Sequence, residues 1–279
     1  MALVDVVLQV GAGVSALLVV AAVLVVGPSR LRTAPRTVRS NARAVAPTFV
    51  ALVAVLAANG VIRDIGVELS WLIGLNITGY IHAIEGSTVA FVQSFATPAL
   101  TAYFGFVYIF GYVFLLVFPL AAYAMYEDAR PLRVVLFAYI VNYGVGLLCY
   151  ILFVAYGPRN FMPDMVEPLL YNSWPQAQLL TSQVNVNTNV FPSLHTSLSG
   201  TVALLAWRFR GVYPRWVPVA LFLAVSIAVS TMYLGIHWAT DVVAGALVAF
   251  ASVEAASRAA DRQERGESLT PTRLRKLRE

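Results

Sequence analysis

From Gly86 to Tyr126 the chain carries no charged side chain, and from Val134 to Pro158 there is again none. About 20 consecutive apolar residues suffice for a helix to cross a bilayer. Runs of this length therefore point to a membrane-embedded chain before any motif is considered. Composition agrees: 59% of the residues are hydrophobic and 12% charged, against about 25% charged in an ordinary soluble domain. The expected fold is an all-α integral membrane protein, an antiparallel bundle of about seven spanning helices.

The spans are read as Val4–Val26, Pro47–Ile62, Ala99–Tyr126, Leu132–Tyr156, Ser193–Trp207, Trp216–Leu234 and Trp238–Ala256. Between Val67 and Glu85 an apolar stretch is punctuated by Glu68, Asn76, Gly79, His82 and Glu85 at near-helical spacing. That pattern predicts a helix lying in the interface. Pro98 is a natural break, so a short helix is expected over Thr88–Phe95 ahead of the third span. Three regions follow from this reading: 1–45, an N-terminal span and basic loop; 46–257, the main membrane domain; and 258–279, a charged tail.

Charge sets the orientation. Arg30, Arg32, Arg36, Arg39 and Arg43 fall between the first two spans, Arg130 and Arg133 before the fourth, and Arg208, Arg210 and Arg215 after the fifth. The tail adds Arg258, Arg262, Arg265, Arg273, Arg275, Lys276 and Arg278, which leaves Arg63 and Arg159 on the other side. Basic loops stay in the cytoplasm, so the N-terminus is expected outside and the C-terminus inside. The net charge of +5 is explained by this asymmetry, and no nucleic-acid partner is expected. With Asp5 and no leading basic residue before its apolar run, the N-terminus does not read as a cleavable signal. Cys149 is the single cysteine, which excludes an intrachain disulfide.

Polar residues gather at the outer span ends. They are Tyr156-Gly157-Pro158-Arg159, Asn189 to Thr196, and Ser230 to Asp241. Pro192 suits the first turn of a helix. The N–H groups of Ser193, Leu194 and His195 would then form an anion-binding helix start. His237 and Asp241 are four apart and would share a helical face. A carboxylate there fixes the imidazole tautomer and frees the other nitrogen, the requirement for a nucleophile or base. Arg159 supplies a planar fork of donors for phosphate oxygens. The set His195, His237, Asp241, Arg159, Ser193 and Leu194 suits phosphoryl transfer through a covalent intermediate, with no metal and no cofactor.

Phe191-Pro192-Ser193-Leu194-His195 resembles the P-S-G-H motif of the type 2 phosphatidic acid phosphatase superfamily, and Ser230 to Asp241 resembles its S-R-x5-H-x3-D motif. The resemblance implies His237 as nucleophile, Asp241 as its orienting partner, His195 as general acid and later base, Ser193 as a phosphate contact, and a six-helix core with one extra N-terminal span. Thr231 stands where that motif has Arg. Leu152 and Asn160 stand where the K-x6-R-P motif has Lys and Pro. Gly157-Pro158-Arg159 and Leu194 are similar to the inositol phosphorylceramide synthase branch, the inositolphosphotransferases. The implied substrate is a lipid phosphate ester, with a second lipid or alcohol as a possible acceptor.

Two other functions fit parts of the pattern. A transporter with a His/Asp relay would place ionisable groups near mid-membrane, whereas these cluster at one face. A metal-dependent membrane hydrolase could use two His and one Asp, yet three His in the chain leave no spare ligands. His82 is expected at the water interface, and Trp174, Trp216 and Trp238 in an aromatic belt. Asn185, Asn187 and Asn189 read as a polar loop. The sequon Asn76-Ile77-Thr78 falls in the interfacial stretch and is discounted as a glycan site.

Overall fold

The computed structural model describes residues 3–182, 188 and 190–265, and the side chains of all of these except 61–67 and 264. Asn185, Asn187, Asn189, the tail cations from Arg273 onward and the Arg63 side chain lie outside the described residues.

The described residues form seven long helices: α1 (Leu3–Val26), α2 (Pro28–Ile73), α3 (Pro98–Ala124), α4 (Arg130–Leu152), α5 (Leu194–Arg208), α6 (Trp216–Tyr233) and α7 (Ala239–Glu264). Among the described residues, six are long and apolar enough to cross a membrane. The exception is α5, whose 15 residues reach only about 22 Å. It is also rich in hydroxyls, because it packs inside the bundle against α4, α6 and α7. There Asn142 of α4 donates to Thr201 at 2.7 Å and accepts from Ser197. Pairing of this kind is what a polar side chain needs at membrane depth.

The basic segment expected as a loop is helical. Gly27, with φ +84°, ends α1 and Pro28 starts α2, which runs on for 46 residues, about 69 Å. Arg and Ala are good helix formers, and no glycine interrupts residues 28–59, which favours helix through the basic segment. It passes without a break through residues 45 and 46, and Pro35 and Pro47 lie within it. The interfacial stretch divides at Gly74. Its first part completes α2, and its second forms a short helix, Thr78–Glu85. Between them Leu75–Asn76 pairs in parallel with Phe153–Val154, so α2 and α4 exit side by side. A side chain at Gly74 would strike the Ser70 carbonyl at 2.5 Å and that of Ile151 at 2.9 Å.

The short helix before α3 spans Thr88–Gln93, and α3 itself is capped by the Thr97 hydroxyl, which accepts the Leu100 N–H at 3.2 Å. Val6, Val10 and Val14 form a buried stripe on α1, and Gly13 sits against Phe110 of α3. Phe49, Val50, Phe222, Val225, Leu247 and Phe250 are exposed, as lipid-facing positions should be. Two tryptophans are not belt residues: Trp216 and Trp238 are fully buried, and Trp174 stacks on Phe110. Trp71 and Trp207 are both more than half exposed, and Trp174 is partly exposed.

Candidate active site

Three chain segments meet at one end of the bundle, held by backbone contacts. The Arg159 N–H donates to the Gly235 carbonyl at 3.1 Å, and the Ser193 N–H to the Asp241 carbonyl at 3.0 Å. The amides of Ile236 and His237 both donate to the Thr231 carbonyl, at 2.9 and 3.1 Å. Gly235 makes the turn with φ +70°, and Gly157 has no room for a side chain against the Ile236 carbonyl. Gly245 likewise lets α7 approach the start of α5.

His237 and Asp241 do not share a helical face. His237 precedes α7, whose N-cap is Trp238, and Asp241 lies in the first turn. The pair meets across the helix start. Asp241 Oδ2 accepts the Trp238 N–H at 2.9 Å and lies 3.4 Å from His237 Nδ1, while buried Oδ1 has no hydrogen-bond partner. His237 is 4% exposed. Burial pushes its imidazole down to about 3, a ring hydrogen bond to the Val190 carbonyl works the other way, and the Arg159 charge lowers it further. The ring is therefore neutral at physiological pH.

His195 stands in the first turn of α5. Its ring stacks on Tyr108 at 4.5 Å and lies 4.4 Å from Tyr112, both brought to it by the π-turn Val107–Gly111 in α3. Such bulges re-aim side chains by inserting a residue. The centroids of His195 and His237 are 6.0 Å apart, with the ring planes tilted by 58°, so the two imidazoles are neighbours in one site.

The anion cradle at the start of α5 is narrower than the sequence implies. Pro192 lies before the N-cap, which is Ser193, and not in the first turn. The Ser193 N–H is held by Asp241, and the Leu194 N–H donates to the Tyr150 hydroxyl, which in turn donates to the Pro192 carbonyl at 3.3 Å. The fully buried Ser193 hydroxyl accepts from the Thr196 N–H and hydroxyl, at 3.3 and 3.1 Å, and keeps its own hydrogen to donate. The Leu194 side chain fills the space over Gly146 of α4.

Arg159 makes up part of the difference. Its guanidinium lies over the Tyr171 ring at 4.6 Å, and Nη2 donates to the Tyr171 hydroxyl at 3.2 Å. Its Nη1 is buried without a hydrogen-bond partner, a donor left for a ligand. Thr231 turns its hydroxyl back to the Ala228 carbonyl at 2.7 Å, and Leu152 lies on the molecular surface. Neither replaces the cation that its motif position would supply.

Sequence reasoning missed Glu85. Its carboxylate accepts from the amides of Ala239, at 2.9 Å, and Thr240, so the short helix Thr78–Glu85 is pinned to the start of α7. Its one sequence signal was an acid inside an apolar stretch. His82 of the same helix lies not in open water but between Phe161 and Trp238, at 5.2 and 5.9 Å. The Trp238 indole donates to the Tyr156 carbonyl at 2.8 Å.

Comparison with curated proteins and with solved structures returned no match. A family profile described as the PAP2 superfamily matches residues 81–255. That match reaches back beyond the motif segments to take in His82, Glu85 and the whole of α3. With well over half its length matched, and with the motif residues drawn together at one end of a bundle of apolar helices, this multi-pass membrane chain belongs to the PAP2 superfamily, a family of phosphatases and phosphotransferases.

Proposed function

We propose that the chain cleaves phosphate esters of lipids through a phosphohistidine on His237. One observation carries the reading: the His195 and His237 ring centroids lie 6.0 Å apart, with Asp241 beside His237 and the unpartnered Nη1 of Arg159 in the same group of segments. A ring nitrogen of His237 attacks phosphorus as the bond to the leaving oxygen breaks, and protonated His195 gives that oxygen its proton. Neutral His195 then takes a proton from water or an alcohol, which attacks the phosphohistidine and restores His237. In the resting ring a proton is directed at Val190. Attack requires it on the Asp241 side, so the phosphoryl group replaces the Val190 contact. Arg159 and the Ser193 hydroxyl donate to the equatorial oxygens, where fixed donors are worth most. The Leu194 N–H joins them only if Tyr150 swings away.

The reaction needs no metal in this scheme. The face is extracytoplasmic, with the N-terminus outside and the C-terminus in the cytoplasm, supported by the Arg asymmetry. Gly157-Pro158-Arg159 and Leu194 favour the inositolphosphotransferase-like branch. Purified protein should release phosphate from a lipid phosphate, or transfer a phospho-headgroup, with EDTA present. His237→Ala should abolish turnover and any acid-labile phosphoenzyme, and His195→Ala should slow turnover by roughly 10²–10⁴-fold. A fully active His237→Ala protein overturns the assignment.

A further inference from the structure

Four arginines in the basic half of α2 fall on one line. Arg32, Arg36, Arg39 and Arg43 follow one another at intervals of four, three and four residues. At 3.6 residues per turn they share an arc of roughly 60°. All four are exposed. Among the described residues none of the four has a hydrogen-bond or ion-pair partner, and no acidic residue occurs between Asp5 and Asp64. Like charges at these intervals repel one another along a helix, so the stripe carries a cost that a bound anion removes.

The opposite face of the same helix holds it to the bundle. Asn41, Val45, Thr48 and Leu52 are buried, and the helical repeat puts them about half a turn from the arginines. The Asn41 amide donates to the carbonyls of Ala124 and Tyr126, at 3.0 and 2.6 Å. Arg30, on that face too, donates to the Val212 carbonyl at 3.0 Å and lies over the rings of Tyr126 and Tyr213. The stripe therefore points away from the protein, at the end of the bundle remote from His195 and His237. Farther along α2 the same outward face turns apolar: Ala46 is exposed, and Val50 and Val53 are 65% and 48% exposed. Val50 is seven residues past Arg43, about 10 Å along the axis. The charged stripe begins where the lipid-facing surface ends.

We infer that this face of α2 is a docking surface for anionic phospholipids of the adjoining leaflet. A guanidinium matches a phosphate through two parallel N–H donors, and a polybasic segment beside a span draws anionic lipid by its field. A phospholipid carries phosphate and acyl chain in one molecule, in the order that Arg39 and Arg43 and then Ala46, Val50 and Val53 present. A soluble polyanion matches the arginines alone. Because α2 packs along α4, docked lipid steadies one wall of the bundle without touching the candidate active site. The inference does not depend on the phosphohistidine reading.

The test uses the full chain in detergent micelles with equal amounts of dioleoyl phosphatidylglycerol and dioleoyl phosphatidylcholine. Native mass spectrometry reads the ratio of the two lipids retained. Wild-type protein should prefer phosphatidylglycerol, and the preference should shrink as sodium chloride is raised. An arginine near the surface is worth about fivefold in such attraction. Replacing Arg32, Arg36, Arg39 and Arg43 together by Gln should therefore lower the ratio by at least about tenfold. Gln keeps the helix propensity, and the pairs Arg32→Gln/Arg36→Gln and Arg39→Gln/Arg43→Gln, each showing part of the loss, serve if the fourfold variant does not fold. The control removes the same four charges from the tail, by Arg273→Gln, Arg275→Gln, Lys276→Gln and Arg278→Gln, and should leave the ratio within about twofold of wild type, since an exposed charge far from the site is screened. Phosphatidylglycerol with a diazirine in its acyl chain should label residues 43–53. No preference in wild-type protein, an equal loss in the tail variant, or label confined to other helices overturns the inference. So does a single-stranded oligonucleotide that displaces no lipid yet binds through the same four arginines.

Discussion

Glu85 accepts the Ala239 N–H at 2.9 Å, and its second carboxylate oxygen takes the N–H of Thr240. A helix start leaves such amides unpaired and carries partial positive charge, so the carboxylate both caps α7 and ties it to the short helix ending at Glu85. His237 and Asp241 flank that capped turn. Glu85→Ala should cost about 1 kcal/mol of stability, as loss of an N-cap acceptor does, and should slow turnover by loosening the His237–Asp241 pair. Glu85→Gln keeps one acceptor and should recover part of both. Thermal melts in detergent and phosphate release check this; an alanine variant with wild-type melting and turnover would refute it.

The imidazole of His237 is held far below its ordinary value by burial. A histidine depressed in the fold binds a proton more readily when unfolded, so its contribution is intact above about 6.5, the free value. It is lost progressively as pH falls toward about 3, by linkage. Wild-type protein should therefore lose more melting temperature than His237→Asn between pH 6.5 and 4. Parallel pH curves for the two would show that His237 is not buried neutral. Turnover should likewise show no loss near pH 6.5 from protonation of the nucleophile.

Most of the architecture was legible, because lipid imposes it. Uncharged runs long enough to span leave few alternatives to helices, and Pro98 marked a real helix start. What was not legible depended on neighbours. A loop was expected at residues 28–46 because Arg-rich segments usually separate spans, yet the helix runs through them and accommodates Pro35 in its interior. Trp216 and Trp238 were assigned to a belt by composition, but they are buried by packing that no local pattern reports. At the site, the spacing of His237 and Asp241 identified the pair and misplaced it, since a four-residue interval can also straddle an N-cap. Glu85 and Tyr150 act across distances of 154 and 44 positions, through hydrogen bonds to Ala239 and Leu194, and single-sequence periodicity does not reach so far.

Arg159 keeps one buried donor unpartnered while Tyr171 holds the other edge of the guanidinium. An ammonium cannot reproduce this planar arrangement. Arg159→Lys should therefore resemble Arg159→Ala, each lowering kcat/KM for a lipid phosphate by about 10–100-fold. Tyr171→Phe, which removes the hydroxyl and keeps the ring, should have a smaller effect. A lysine variant with near-wild-type kcat/KM would mean that charge alone, and not the fork, matters at this position.

One constraint on the site comes from a residue with no side chain, Gly245. A Cβ at Gly245 would meet the Ser193 carbonyl oxygen at 2.5 Å and the Thr196 Cβ at 3.2 Å. The first obstacle is backbone, in the same turn whose Ser193 N–H reaches the Asp241 carbonyl at 3.0 Å, so relief requires α5 and α7 to separate. Gly245→Ala should cost about 1–3 kcal/mol by overpacking and should move His195 away from His237, reducing turnover beyond what the loss of folded protein explains. Gly144→Ala is the matched control: it also lies in a helix, α4, and its Cβ meets nothing within 4 Å. There the greater helix propensity of alanine should leave stability equal or higher, by up to about 1 kcal/mol. Melting and specific activity of the two variants, normalised to folded protein, separate the explanations. Equal behaviour would show that the α5–α7 approach at Gly245 is not what sets the His195–His237 distance.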